Sequence, residues 1–153
     1  MNKIANYILI FSLLLLTNCG YQAVLNNQNY QFSINVNKIN GDQKINSLII
    51  NSLKQLKENE KKYNLSLTSN KEKLIISKDS KGDPSIFEIK INVNYVVEKD
   101  GEILISNKIN KKTTYNNITD KFDLENYEKN IINNLVSEIS DNIKLSISKV
   151  SEW

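Results

Sequence analysis

Residues 87–112 read FEIKINVNYVVEKDGEILISNKINKK, and the fold turns on how this stretch folds back on itself. Phe87, Ile89, Ile91, Val93, Tyr95 and Val97 alternate with polar neighbours such as Glu88, Lys90, Asn92 and Asn94. Strict alternation over so long a run predicts a strand with one apolar and one polar face. Lys99-Asp100-Gly101 then turns the chain into a second strand over 102–112. A one-residue slip between the strands would exchange the two faces, so the pattern can choose the register. A two-residue Asp-Gly loop sets Val97 opposite Leu104, but also Tyr95 opposite Ser106 and Val93 opposite Lys108. A three-residue loop sets Val97 opposite Ile103, Tyr95 opposite Ile105 and Ile91 opposite Ile109. It also places Gly101 at the left-handed position of a type I turn followed by a bulge. The spacing therefore predicts the three-residue loop, with Glu88 opposite Lys112 and Asn92 opposite Lys108 on the polar face.

Toward the N-terminus, 30–36 alternates again, with Tyr30, Phe32, Ile34 and Val36 on one side. Asn40-Gly41 marks a turn and Asp42 is placed to cap a helix. Its apolar stripe is Ile45, Leu48, Ile49, Ser52, Leu53 and Leu56, with Lys54, Lys57, Glu58, Lys61 and Lys62 outside it. A short strand follows at 65–69 and resumes at 73–77, and 79–83 with Pro84 behind it reads as a loop. Toward the C-terminus, 113–119 leads into a long helix capped by Asp123 or Thr119. Leu124, Tyr127, Ile131, Leu135, Val136, Ile139 and Ile143 form its band. Beyond Leu145 the band drifts around the axis, which predicts fraying of the last turns. The order gives an α+β layer pair: two helices packed on one face of a mostly antiparallel sheet of about four strands. One domain over 30–150 accommodates all of it.

The front of the chain reads differently. Lys3 precedes the apolar run YILIFSLLLL at 7–16. Ten residues are too few for a helical span, which needs about 20, but they suit the core of a secretory signal. Leu16-Thr17-Asn18-Cys19-Gly20 follows, and Cys19 is the sole cysteine. The arrangement resembles a bacterial lipobox, in which the Cys thiolate is alkylated with diacylglycerol and becomes the first residue after cleavage. On this reading 1–18 is the signal, Cys19 the lipidation site and 19–29 a polar tether. Gly20 after the Cys, in place of Asp, implies sorting to the outer membrane, with the domain facing the periplasm.

Composition excludes several classes. With no His and one Cys, Cys/His zinc sites, His-based triads and internal disulfides are ruled out. The net charge of +3, from 20 Lys and no Arg against 17 acids, is too small and dispersed to imply nucleic acid. No phosphate-binding loop, nucleophile elbow or calcium loop occurs. Acidic pairs such as Glu58/Glu60 and Glu98/Asp100 fall on a helix exterior and a hairpin tip, where nothing would raise a carboxyl pKa. Catalytic residues, metal ligands and cofactors are therefore expected to be none, apart from the covalent lipid on Cys19. What remains is the polar face of the hairpin, where Lys90, Lys108 and Lys112 lie together. Their ammonium groups suit phosphate as point charges, contact with a protein wall, or simple solvation of a bare sheet face.

Cys19-Gly20-Tyr21, the helix around 46–56, the long hairpin and Thr113-Thr114-Tyr115 leading to the second helix resemble the LPS-assembly outer-membrane lipoprotein family, LptE. The likeness covers the whole mature chain as a pattern of elements. It implies a non-enzymatic subunit that sits in the LptD β-barrel and helps deliver lipopolysaccharide to the outer leaflet. An auxiliary lipoprotein of a lipid-transport ABC system, or a generic envelope scaffold lipoprotein, would share the same outline.

Overall fold

The alternation of 87–97 survives intact in the computed structural model, which describes residues 32–54 and 61–151. Strand β1 is Ser33–Gly41, helix α1 Gln43–Lys54, β2 Lys62–Lys78, β3 Pro84–Lys99, β4 Glu102–Asn116 and helix α2 Lys121–Ser151. The signal 1–18, the tether 19–29 with Cys19, Tyr30, Leu56 and the Glu58/Glu60 pair lie outside the described residues. The four strands form one sheet in the order β1-β2-β3-β4. β2, β3 and β4 run antiparallel as a meander, while β1 pairs parallel to β2. A parallel pair needs a crossover, and α1 supplies it. The fold is thus α+β, with two helices and a mostly antiparallel sheet.

The core lies between the helices and one face of the sheet. Phe87, Ile89, Ile91, Val93, Tyr95 and Val97 of β3 are all buried, as are Tyr63, Leu65 and Leu67 of β2. From the helical layer come Ile45, Ile49 and Leu53 of α1 and Ile132, Leu135, Val136, Ile139 and Ile143 of α2. α1 packs on β1, β2 and α2; α2 packs on β3, β4 and α1. Leu48 and Leu124 join the edge of the cluster, and Tyr127 remains exposed.

Asp42 caps α1 as its position predicts, accepting a hydrogen bond from the Ile45 N–H at 3.0 Å. The turn into α1 is bound tightly to β2. The Asp42 N–H donates to the Ser69 carbonyl, the Ser69 hydroxyl donates to the Asp42 carbonyl, and Asn46 donates to the Asn40 carbonyl. Gly41 has φ +88°, and a Cβ there would lie 1.8 Å from the Ser69 oxygen. Only glycine fits this crossing.

The hairpin corrects the expected register. Asp100 and Gly101 have φ +53° and +84°, the pair of left-handed residues of a two-residue type I′ loop, whose twist matches that of the strands. Glu98 pairs with Ile103 and Val97 with Ile105, so Leu104 is left without a partner in β3. This bulge returns the apolar residues to the core side that the two-residue loop alone would have lost. The result lies two residues from the three-residue-loop register and so keeps the same faces. Glu88 stands opposite Thr114, Lys112 opposite Lys90, Asn92 opposite Asn110 and Lys108 opposite Asn94.

Four boundaries also differ from expectation. β1 extends to Gly41 because a bulge at Asn37 carries the pairing past Val36. β2 is continuous through 70–72, where Ser69 is buried against the α1 turn and Lys71 reaches Asp42 at 3.9 Å. The inward-facing members of this polar run, Ser69 and Lys71, are therefore satisfied at the helix N-terminus, while Asn70 and Glu72 face the other side and bond each other at 2.8 Å. Asp120, rather than Asp123 or Thr119, caps α2, accepting from the Phe122 and Asp123 N–H groups at 2.8 and 3.0 Å. The end of α2 holds to Ser151: Ile147 is fully buried and the Lys61 ammonium donates to the Ser151 carbonyl.

Candidate functional site: the uncovered face of the sheet

Alternation places every second strand residue on the side away from the helices, and among the described residues no element covers that side. It is a field of amides, hydroxyls and lysines in cross-strand rows. Asn70, Asn92 and Asn110 form one row, with Asn110 donating to Asn92 at 2.7 Å. Asn35 donates to Asn64 at 3.1 Å in another. Asn40, Thr68, Asn94 and Lys108 form a third, spanning all four strands.

A trough of about 550 Å³ crosses this side. Lys38 from β1 and Lys108 from β4 stand at opposite ends, with Asn40, Ser66, Thr68, Asn94 and Ser106 between them. Two ammonium groups flanking a floor of hydroxyls and amides suit a polyhydroxylated ligand bearing anionic groups. Lysines supply point charge, while the amides and hydroxyls both donate and accept.

Lys90, Lys108 and Lys112 all project to this side, but they do not form one cluster. Lys90 and Lys112 are directly opposed, with Glu72 across from Lys90 on β2. Lys112 also bonds the largely buried Glu88 carboxylate at 2.9 Å, diagonally across the strands. Two lysines and two acids therefore neutralise each other locally. Lys108 lies four residues along β4, about 13 Å from Lys112, and belongs to the trough. Lys38 was missed because strict alternation from Val36 points it into the core. The Asn37 bulge between Val36 and Lys38 re-aims it outward. A lone polar pair, Asn37-Lys38, before Ile39 was the only sequence trace of that bulge.

A second polar network sits on the helix side, at the end of the molecule where α2 begins. Glu128 accepts hydrogen bonds from the Tyr115 hydroxyl at 2.7 Å and from Lys73. Lys73 also lies 4.3 Å from the centroid of the Phe87 ring. Burial, and then the hydrogen bond and charge of Glu128, push the Tyr115 hydroxyl pKa well above its usual value. This network joins β2, β4 and α2. Among the described residues no group of acids, histidines or cysteines could hold a metal ion, and no helix is long and apolar enough to cross a membrane. Glu98 is half-buried on β3 and Asp100 sits in the turn.

No family model matches the chain, and no curated protein matches it in sequence. Solved structures do match its fold. Rare lipoprotein B from Shewanella oneidensis superposes with a TM-score of 0.58 at 14% identity, over 76% of this chain and 96% of that one. Lipoprotein B from Nitrosomonas europaea gives 0.57 at 13%, over 82% and 90%. A minor lipoprotein from Acinetobacter baumannii gives 0.54 at 12%, over 80% and 93%. The two-helix, four-strand arrangement is therefore a fold that this chain shares with bacterial lipoproteins.

Proposed function

We propose that the protein is an outer-membrane lipoprotein, anchored by acyl chains on Cys19, that works with an LptD-type β-barrel in lipopolysaccharide transport and catalyses no reaction. The observation that carries this reading is the division of the sheet. One side holds the entire core, and the other is a polar field across four strands with a lysine at each end of its trough. A plug needs such a side, able to meet a hydrated barrel wall or a phosphorylated glycolipid without losing stability. The fold shared with named lipoproteins and the Leu16–Gly20 motif support the anchor. Each buried acyl CH₂ contributes about 0.8 kcal/mol, so a multiply acylated Cys19 holds the domain at a bilayer without a protein span.

Affinity purification of the full chain from detergent-solubilised envelopes tests the partner. Recovery of a barrel-sized outer-membrane protein is expected; recovery of transporter subunits or murein fragments in its place refutes the assignment. Replacing Lys38 and Lys108 together with Gln should lower lipopolysaccharide binding and flatten its salt dependence. Replacing Lys90 and Lys112 should change it little, because Glu72 and Glu88 already offset them. Equal losses from the two pairs would remove the trough from the account. Cys19→Ala should release the folded domain from the membrane.

A further inference from the structure

The chain enters the domain at Phe32, which is fully buried and meets the Tyr63 ring edge-on at 5.9 Å. Ser33 follows and donates its N–H to the Lys61 carbonyl at 2.9 Å. This entry point shares one end of the molecule with the tip of the β3–β4 hairpin and the close of α2. A cleft of about 370 Å³ there is lined by Lys61, Lys99, Asp100, Glu102, Leu104 and Val150. The bulge in β4 splays two aliphatic residues at the tip. Ile103, opposite Glu98, lies on the outer side, and Leu104 lines the cleft. They are 61% and 36% exposed, Ile103 being the most exposed aliphatic residue among those described. A Cβ on Gly101, in the turn, would meet nothing within 4 Å, so the tip stands clear of the other described residues.

We propose that this hairpin tip rests on the surface of the lipid bilayer, with Ile103 and Leu104 set among the upper acyl chains. The proposal rests on the acyl anchor at Cys19 and not on the barrel. Cys19 and Phe32 are thirteen residues apart, a reach of at most about 45 Å. The entry end is thus held near the bilayer in every orientation of the domain. The opposite end, with Leu74, Ile75, Ile76 and Phe122 exposed, is separated from it by the length of β3, about 50 Å, and is under no such constraint. Tethering makes the tip contact intramolecular, so two aliphatic side chains suffice where they would be too few for a free protein. Charge is not the driving force, because Lys61 and Lys99 share the cleft with Asp100 and Glu102. Lysine stems at such a boundary lie along the apolar surface while their ammonium groups stay with the headgroups.

Quenching by spin-labelled lipid tests the contact. The full chain, reconstituted from detergent into phosphatidylcholine vesicles, carries a nitrobenzoxadiazole label at Glu102→Cys or at Ser80→Cys, in the loop at the opposite end. The parent, with Cys19 alone, gives the background. A nitroxide on the upper acyl chain should quench the label at 102 several-fold more strongly than the label at 80. Adding Ile103→Ser should remove most of that excess with the thermal midpoint unchanged, and Ile103→Trp should preserve it. High salt should leave it in place, since the contact is apolar. Equal quenching at 102 and 80, an excess indifferent to Ile103→Ser, or one abolished by salt overturns the inference. Intact mass of the same preparation reads the anchor separately. An acylated chain whose tip is not quenched removes the tip contact and leaves the anchor, whereas a chain without acyl groups removes both.

Discussion

The two sides of β3 are built from the same backbone, yet they differ in every respect that matters to stability. Toward the helices, Phe87 to Val97 contributes six buried side chains to one core shared with the aliphatic residues of the helical layer. Away from the helices, Asn92 and Asn94 hold cross-strand places in a polar field, and Asn92 is satisfied by Asn110. Apolar burial scales with area removed from water, whereas an exposed amide exchanges one hydrogen-bond partner for another at small net gain. One side therefore makes the fold, and the other is left free to change with whatever it meets.

Substitutions can break this contrast or sharpen it. The largest effect is expected at Gly41, which sets α1 down on the core side. Gly41→Ala forces a Cβ against the Ser69 carbonyl at positive φ, and should cost about 4 kcal/mol or more, or abolish folding. Urea denaturation measures it, and a loss under 1 kcal/mol would show that the crossing is loose. Ile91→Ala removes a fully buried side chain and should cost about 2–5 kcal/mol. Gly101→Val puts a β-branched residue at φ +84° in the hairpin loop. With open space around it, only the strain counts, about 1–2 kcal/mol. Asn92→Ala, one residue from Ile91 and on the other side, should stay within about 0.5 kcal/mol. If Ile91→Ala and Asn92→Ala shift the midpoint alike, the polar side is structural after all.

The Tyr115 hydroxyl gives the contrast a pH dependence. Its pKa is raised in the folded state, so the unfolded chain loses this proton first as pH rises. Its contribution is complete below the ordinary tyrosine value of about 10, and declines above it. Tyr115→Phe should therefore be less stable than the parent near neutral pH, and the difference should shrink above about pH 10. Thermal melts of both chains from pH 7 to 11 would check this; a gap that widens with pH contradicts the buried pairing with Glu128.

The layer order and the core were legible because period-two and helical stripes report burial directly: every residue expected inside from 87–97 is inside. What escaped detection were bulges, which insert one residue without a marker in composition. The bulge at Leu104 let the two-residue loop keep the apolar side inward, so a choice between unbulged registers missed the pairing by two residues while keeping its faces. The bulge at Asn37 hid Lys38. The Glu88–Lys112 bond was expected from opposition and arises diagonally instead, which strand spacing permits for a long lysine. The parallel pairing of β1 left no trace either, since alternation tells which side a residue faces and not which way the neighbouring strand runs.

That parallel strand has a mechanical consequence. The chain enters β1 at Ser33, beside Lys62 at the start of β2, and the α2 carboxyl end is held to the same region through Lys61. A pull on the chain preceding Phe32, directed away from the domain along the strand axis, is carried along β1 itself. Its eight registered pairs with β2, from Ser33 to Gly41, then share the load in shear instead of parting one at a time. Gly41, locked against Ser69 at the far end of β1, acts as the stop that keeps the strand from sliding out. A tug at the amino end should thus find the domain stiffest in the direction its entry strand points, and weakest when that strand is peeled sideways from the sheet.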